Sequence, residues 1–237
     1  PDILAVQEAC DWEKSGRFIE IAELLKFPVE QSRLFPANPR SSSGRVYDIA
    51  FYSRYPIKKQ TTYSDPSIIW HTMPHLALDY LETTHIIVAH LNPKTEDARL
   101  IEAENINKIL RENNKQPVIV LGDFNSLSPD DNYSADLDDK LEKNKITKFG
   151  NPSRHDVITS LFKNDWHDTM ADQARNNDQV NITVAESSED QDHLDLRLDY
   201  IMVNDELKSK INKTYIIDNQ LTRQASDHLP IVTEISS

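Results

Sequence analysis

Short apolar runs rich in β-branched residues alternate along this chain with stretches whose apolar residues recur at helical spacing. Ile3-Leu4-Ala5-Val6, Ile86-Ile87-Val88-Ala89 and Val118-Ile119-Val120-Leu121 are apolar at every position, the pattern of central strands covered on both faces. Further strands are expected at 45–52, 56–63, 72–81, 180–185, 195–203, 211–217 and 229–235. Phe18, Ile21, Ala22 and Leu25 lie on one helical face, as do Ala103, Ile106 and Leu110, each with charges on the opposite face; two amphipathic helices follow. The Ser- and Pro-rich stretch 36–44 reads as a loop. Segment 127–155 crowds Asp130, Asp131, Asp136, Asp138 and Asp139 into polar sequence, and reads as a solvated surface excursion rather than an ion site. No internal repeat is visible. The alternation as a whole predicts a mixed α/β domain.

Length and charge narrow this picture. A chain of 237 residues can bury one sizeable core, so a single domain over 1–237 is expected. With 39 acidic against 26 basic residues and a formal charge of −13, the chain has no general attraction to nucleic acid or anionic membrane. A phosphate-bearing partner would have to be met locally, for instance through a cation held by carboxylates. Cys10 is the single cysteine, which excludes an intrachain disulfide and a cysteine-rich zinc site. No run approaches the roughly 18 apolar residues of a membrane span and no signal-peptide core is visible. A soluble monomer is expected, and the sequence assigns it no compartment. The chain opens at Pro1 directly into an apolar run, which reads as a strand already under way in a larger fold.

Candidate chemistry sits at strand ends. The run 118–121 leads into Gly122-Asp123-Phe124-Asn125-Ser126; Asp123 and Asn125, two apart, share a face in extended chain. An Asp can ligate a hard cation or take a proton from water, and an Asn supplies a neutral oxygen or a donor to phosphate; a strand-end turn is the plainer alternative. Ser226-Asp227-His228-Leu229-Pro230 precedes the apolar Ile231-Val232. Consecutive residues cannot supply triad geometry and the Gly-x-Ser-x-Gly elbow is absent, so Asp227 and His228 read as metal ligand or water activator plus phosphate-contacting acid/base, with a cap or loop hydrogen bond as the alternative. Gln7-Glu8 places a carboxylate after the first strand, a natural anchor for Mg²⁺. His90 follows an apolar strand and could donate to phosphate, and Asp199 could hold His228 in one tautomer and orientation. Arg45, Arg54 and Arg197 are candidate phosphate contacts, or surface ion pairs. His71 and His75 could also meet phosphate but read more readily as ordinary strand residues, His85 and Trp166-His167-Asp168 as structural, and Cys10 as a small buried hydrophobe.

The ordered set Gln7-Glu8, Ser53-Arg54-Tyr55-Pro56-Ile57, His90-Leu91, Gly122-Asp123-Phe124-Asn125, Asp199-Tyr200 and Ser226-Asp227-His228 resembles the endonuclease/exonuclease/phosphatase superfamily, the deoxyribonuclease I-like proteins, over nearly the whole chain. The resemblance implies a four-layer α/β sandwich, two mixed sheets face to face with helices outside, and a site at one end. It implies Mg²⁺, with Mn²⁺ as substitute, bound through Glu8, Asp123, Asn125 and Asp227, and catalysis by His90, Asp123, Asn125, Asp199 and His228. Asp123 and Asn125 would position or deprotonate the attacking water, and His228, oriented by Asp199, would stabilise the pentavalent phosphate with His90 across from it. The implied activity is hydrolysis of a phosphodiester, as by a nuclease acting on nucleic acid or a related phosphodiesterase, by in-line attack of water. Phosphomonoester hydrolysis, sphingomyelinase-like action on lipid and a non-catalytic phosphate-binding module are the alternatives. The resemblance also implies an earlier strand ending in a site Asn, so the N-terminal strand is expected to be missing from this chain and its activity or stability to suffer accordingly.

Overall fold

The computed structural model describes residues 1–38, 46–171, 181–184, 194 and 196–236. Six strands form one mixed sheet in the order β4 (Ile57–Tyr63), β5 (Met73–Leu78), β6 (Thr84–His90), β7 (Val118–Asp123), β9 (Asp199–Val203), β8 (His167–Asp168). Only β6 and β7 run parallel, because α3 (Glu96–Asn113) carries the chain back between them as a parallel pair requires. Thr95 starts α3 by accepting from the Ala98 amide at 3.2 Å, with Glu96 and Asp97 in the first turn where the helix dipole favours acid. A second sheet has the order β1 (Ile3–Val6), β3 (Ile49–Ser53), β2 (Arg33–Phe35), and β10 (Ile211–Ile216) pairs with β11 (Ile231–Ile235).

Alternation along the strands shows how these parts stack. Ile3 and Ala5 of β1, Ile49 and Phe51 of β3, Ile86 and Val88 of β6, Ile119 and Leu121 of β7, and Ile201 and Val203 of β9 share one apolar cluster, so the two sheets face each other across it. The other faces carry helices. Ile87, Ala89, Val118, Val120 and Met202 pack on Ala103, Ile106 and Ile109 of α3 and on Val157, Ile158 and Leu161 of α5 (Asp156–Phe162). Leu4, Val6, Ala50 and Tyr52 pack on Phe18, Ile21 and Ala22 of α2 (Arg17–Leu24). The result is the expected four-layer sandwich of helix, sheet, sheet and helix. Among the described residues no helix is long and apolar enough to cross a membrane.

Several expectations change. The span 180–185 shows, in its described part, an isolated bridge at Val184 rather than a strand, and β2 lies where no strand was expected. The segment 127–155 is not a surface excursion: Leu127, Leu137, Leu141 and Phe149 are buried together with Leu194, Leu196 and Leu198, and α4 (Leu137–Lys143) supplies two of them. Its acid Asp131 is buried as well, and that overturns a second reading, because Arg197 is not a phosphate contact. The Arg197 guanidinium is fully buried, with Nε 2.9 Å from Asp131 Oδ2 and Nη1 2.7 Å from Asp168 Oδ2, and it lies over the Tyr200 ring. Arg54 is likewise structural, donating to the carbonyls of Pro1, Lys26 and Leu25; Arg45 lies outside the described residues.

His75 and His85 sit far from the strand ends that carry the site. His85 is five residues before His90 on β6, about 16 Å at strand rise. His75 Nε2 is 2.8 Å from His85 Nδ1, whose ring meets Gln116 Oε1 through its other nitrogen at 2.5 Å. Burial, then the neighbouring His85, pushes His75 down to about 4, and burial lowers His85 too.

Two measurements follow. Arg197→Met leaves Asp131 and Asp168 buried without a counter-charge and is expected to cost ~3–5 kcal/mol, read as a lower urea midpoint. His75 and His85 stay neutral in the fold while the unfolded chain protonates them below its ordinary value near 6.5. Their contribution is therefore present above pH 6.5 and lost as pH falls toward 4, and a double His75→Gln/His85→Gln variant should flatten that part of the stability profile.

Candidate active site

The hydrogen-bond register of the large sheet assembles the first half of the site. His90 is the register partner of Asp123 between β6 and β7, and Asp123 is the partner of Asp199 between β7 and β9. Directly opposed residues project to the same face. Each lies two residues along its strand from a member of the inter-sheet core, Val88, Leu121 or Ile201, so all three side chains enter the gap between the sheets at its open end. Gly122 lets the strands close up there. It has φ +134°, and a Cβ would meet the Ala89 carbonyl oxygen at 2.0 Å, so no other residue fits.

The turn after β7 then wraps Asp123. Asn125 is left-handed, φ 49°, a conformation Asn tolerates better than most. Its amide donates to Asp123 Oδ1 at 2.7 Å, and its side-chain nitrogen donates to Asp123 Oδ2 at 2.9 Å and to Leu91 O at 3.2 Å. Both Asp123 oxygens are thus aimed by one residue. Burial, then the nearby Asp199 carboxylate, raises Asp123 well above the ordinary carboxylate range, against the pull of His228, the Asn125 amide and Lys148.

The second half comes from segments remote in sequence. His228 Nδ1 is 2.8 Å from Asp199 Oδ2. Thr183 fastens this pair: its hydroxyl accepts from the Leu198 and Asp199 amides at 2.9 and 3.1 Å, and its carbonyl accepts from the Leu229 amide at 2.7 Å. Burial works against a charged His228, yet the Asp199 hydrogen bond and the charges of Asp199, Asp123 and Asp227 push it up to about 9. His90 behaves oppositely. Burial, then His71, His228 and Lys148, holds it well below 6.5, so its Nε2, 3.8 Å from Glu8 Oε1 and 3.7 Å from Asp123 Oδ2, belongs to a neutral ring and forms no ion pair. His71 stacks on it with centroids 4.0 Å apart, which moves His71 from an ordinary strand residue to the wall of the site.

Glu8 stands two residues beyond β1 in a left-handed conformation, φ 58°, unusual for Glu and a local strain. Its side chain is 59% exposed, and its carboxyl is raised by burial and by Asp227 and lowered by His228. The chain's N-terminal strand and the Ser226–Leu229 turn therefore meet here. Among the described residues no group of three or more His, Cys, Asp or Glu side chains could cage a metal ion. Glu8 and exposed Asp227 nevertheless form a pair of hard oxygen donors in mutual repulsion, which suits a cation held by one or two carboxylates and water.

Every sequence-derived candidate of the main set, Glu8, His90, Asp123, Asn125, Asp199, Asp227 and His228, converges on this end of the sandwich. Lys148 joins them unannounced. It lies in the segment read as surface, yet its Nζ donates to Asn125 Oδ1 at 2.9 Å. Its arrival depends on tertiary contacts: Arg99, buried in α3, donates to the Lys148 carbonyl at 2.6 Å. No local pattern encodes that. Thr183 was equally hidden, in a span read only as strand. Cys10 is half-buried beside the site, and Trp166 is a core residue donating to Asn107.

The sequence profile described as "Endonuclease/Exonuclease/phosphatase family" matches residues 1–228. No curated protein matches the sequence. Solved structures share the fold at low identity. A 3′ phosphatase from Neisseria bound to product DNA hairpin is 17% identical with a TM-score of 0.69, and an AP endonuclease from Archaeoglobus fulgidus is 17% identical with 0.68; in both comparisons 100% of this chain and 90% of the other are covered. A protein of the matching family from Leptotrichia buccalis is 20% identical with a TM-score of 0.67, covering 100% and 88%.

The Asp199–His228 contact makes a measurable claim. Histidine NMR titration of the metal-free chain is expected to place His228 near 9, and Asp199→Asn should bring it to the ordinary value near 6.5 or below. The folded value being raised, the pair's stabilisation is full below pH 6.5 and disappears as pH rises through 9. A His228 midpoint unmoved by Asp199→Asn would contradict this account.

Proposed function

The chain belongs to the endonuclease/exonuclease/phosphatase family, whose members are hydrolases of phosphoester bonds, and from that premise we propose that it hydrolyses phosphodiesters by in-line attack of water, with a divalent cation as cofactor. The observation that carries this reading is geometric: a buried carboxylate, Asp123, aimed through both oxygens by Asn125, stands in one row with His90 and Asp199, and Asp199 in turn holds the His228 ring at 2.8 Å; burial raises Asp123 while Asp199 raises His228. Separated acid and base of this kind are what general acid–base chemistry needs near neutral pH.

In the proposed reaction Asp123, aimed by Asn125, takes a proton as the water oxygen forms a bond to phosphorus. The bond from phosphorus to the leaving oxygen breaks on the opposite side, and that oxygen is protonated from solvent. His228, positioned by Asp199, keeps its proton and donates it in a hydrogen bond to a non-bridging oxygen. Neutral His90, its ring fixed by His71, donates a second. Glu8 and Asp227 would hold the cation, Mg²⁺ or Mn²⁺, which when bound offsets phosphate charge and polarises the group under attack. The engagement of Asn125 with Asp123 and Lys148 favours a positioning role for it over a metal-ligating one. Nucleic acid is one source of such a phosphodiester, a 3′ phosphatase of similar fold being bound to a DNA hairpin, and it would be met through the site itself because a chain of net charge −13 offers no broad basic track.

Hydrolysis of bis(4-nitrophenyl) phosphate, single-stranded and duplex DNA, RNA, sphingomyelin and inositol phosphates, with Mg²⁺ or with chelator, tests the reading. Turnover of a phosphodiester that chelator abolishes is expected, and Asp123→Ala should lower kcat by about 10²–10⁴-fold with the circular dichroism spectrum unchanged. Chelator-resistant turnover, or no turnover of any of these esters, sinks it.

A further inference from the structure

We propose that Lys148 is a catalytic residue whose ammonium takes a non-bridging oxygen of the phosphoryl group under attack; this rests on the phosphodiesterase reading above. Lys148 is delivered to the site by a built support. Its carbonyl accepts from Arg99 Nη2 at 2.6 Å. Arg99 is fully buried and also donates to Glu96 at 2.8 Å and to the Asn92 carbonyl at 2.9 Å. Glu96 in turn accepts from the Ser126 hydroxyl and the Val157 amide, so the same buried pair that anchors Lys148 anchors the turn carrying Asp123 and Asn125. The Lys148 ammonium lies over the Phe149 ring, Nζ 5.0 Å from its centroid, and Nζ ends 2.9 Å from Asn125 Oδ1. A lysine meant only for solvent pays no such constraint on rotamers.

Charge argues in the same direction. Burial, with Arg99, lowers Lys148 from the ordinary lysine value against the pull of Asp123, Asp199 and Asp227, yet it forms no ion pair with any of these carboxylates within 4 Å, its one side-chain hydrogen bond among the described residues being to the neutral carboxamide. An ammonium has three donors, so the bond to Asn125 leaves donors for an incoming oxygen. The charges of Asp123, Asp199 and Asp227 all act on it, so the ammonium lies among the carboxylates where the proposed reaction places the phosphoryl group. The lysine forms and breaks no covalent bond in the step and keeps its proton throughout; it offsets charge that grows on the equatorial oxygens, and preorganised cations of this kind act mainly on the transition state.

The test uses the whole chain, bis(4-nitrophenyl) phosphate and Mg²⁺. Lys148→Met, close in length and uncharged, is expected to lower kcat about 10²–10³-fold with little change in KM, and Lys148→Arg to recover part of the loss. In the wild-type chain, inorganic phosphate with Mg²⁺ should slow reductive methylation of Lys148 and leave exposed Lys163 unaffected, a readout that survives if Lys148→Met fails to fold. Wild-type turnover with an equally active, folded Lys148→Met, a loss confined to KM, or labelling of Lys148 indifferent to phosphate overturns the proposal while the phosphodiesterase reading stands. A wild-type chain without turnover overturns both.

Discussion

The structure depends on one register. β7 is bonded in parallel to β6 and antiparallel to β9 so that His90, Asp123 and Asp199 fall in a single row. A slip of one residue on either side would turn the slipped side chain from the inter-sheet gap to the helix-covered face. That register is held by two clusters at once, since odd and even positions of β6, β7 and β9 pack into different cores. Neither core can be satisfied by a shifted strand. Gly122 is the local condition for it, because the backbone of β6 approaches to a distance that a side chain would fill.

The price of that row is charge. Asp123 and Asp199 are adjacent and buried, with Glu8 and Asp227 nearby, and burial disfavours the ionised forms of Asp123 and Glu8. The site answers with unequal protonation: Asp123 is raised, His228 stays charged against Asp199, and His90 is kept neutral. Two histidines of one site are thus pushed in opposite directions because their surroundings differ. A divalent cation among Glu8 and Asp227 would continue the same compensation.

Beneath the site lie two buried ionic knots that join remote segments. Arg197 ties the 127–155 segment, through Asp131, to β8, through Asp168, while Tyr200 Oη lies 3.0 Å from the carbonyls of Ser126 and Arg197. Arg99 and Glu96 bind the start of α3 to the Asp123 turn, to α5 and to the main chain of Lys148. Such pairs add little net stability over apolar packing but are costly to break singly. Their effect here is positional: both enforce where the loops after β7 can go.

The periodicity of the sequence determined the strands and helices whose period was unbroken and the mixed α/β class, while the four-layer sandwich was what the family resemblance implied. Glu8, His90, Asp123 and Asn125 were legible because they end apolar runs, Asp227 and His228 because they stand just before one, and Asp199 as a carboxylate suited to orient His228. Tertiary structure alone decided the rest. Asp131 and Arg197 looked like surface charges, and only their meeting across 66 residues makes burial tolerable. Lys148 and Thr183 carry no local mark, since their roles come from bonds to Arg99, Asn125, Leu198 and Asp199 that lie far along the chain. His71 changed meaning once its ring was found on that of His90. Periodicity reports which face of an element is buried; it carries no information on which distant partner that face will meet.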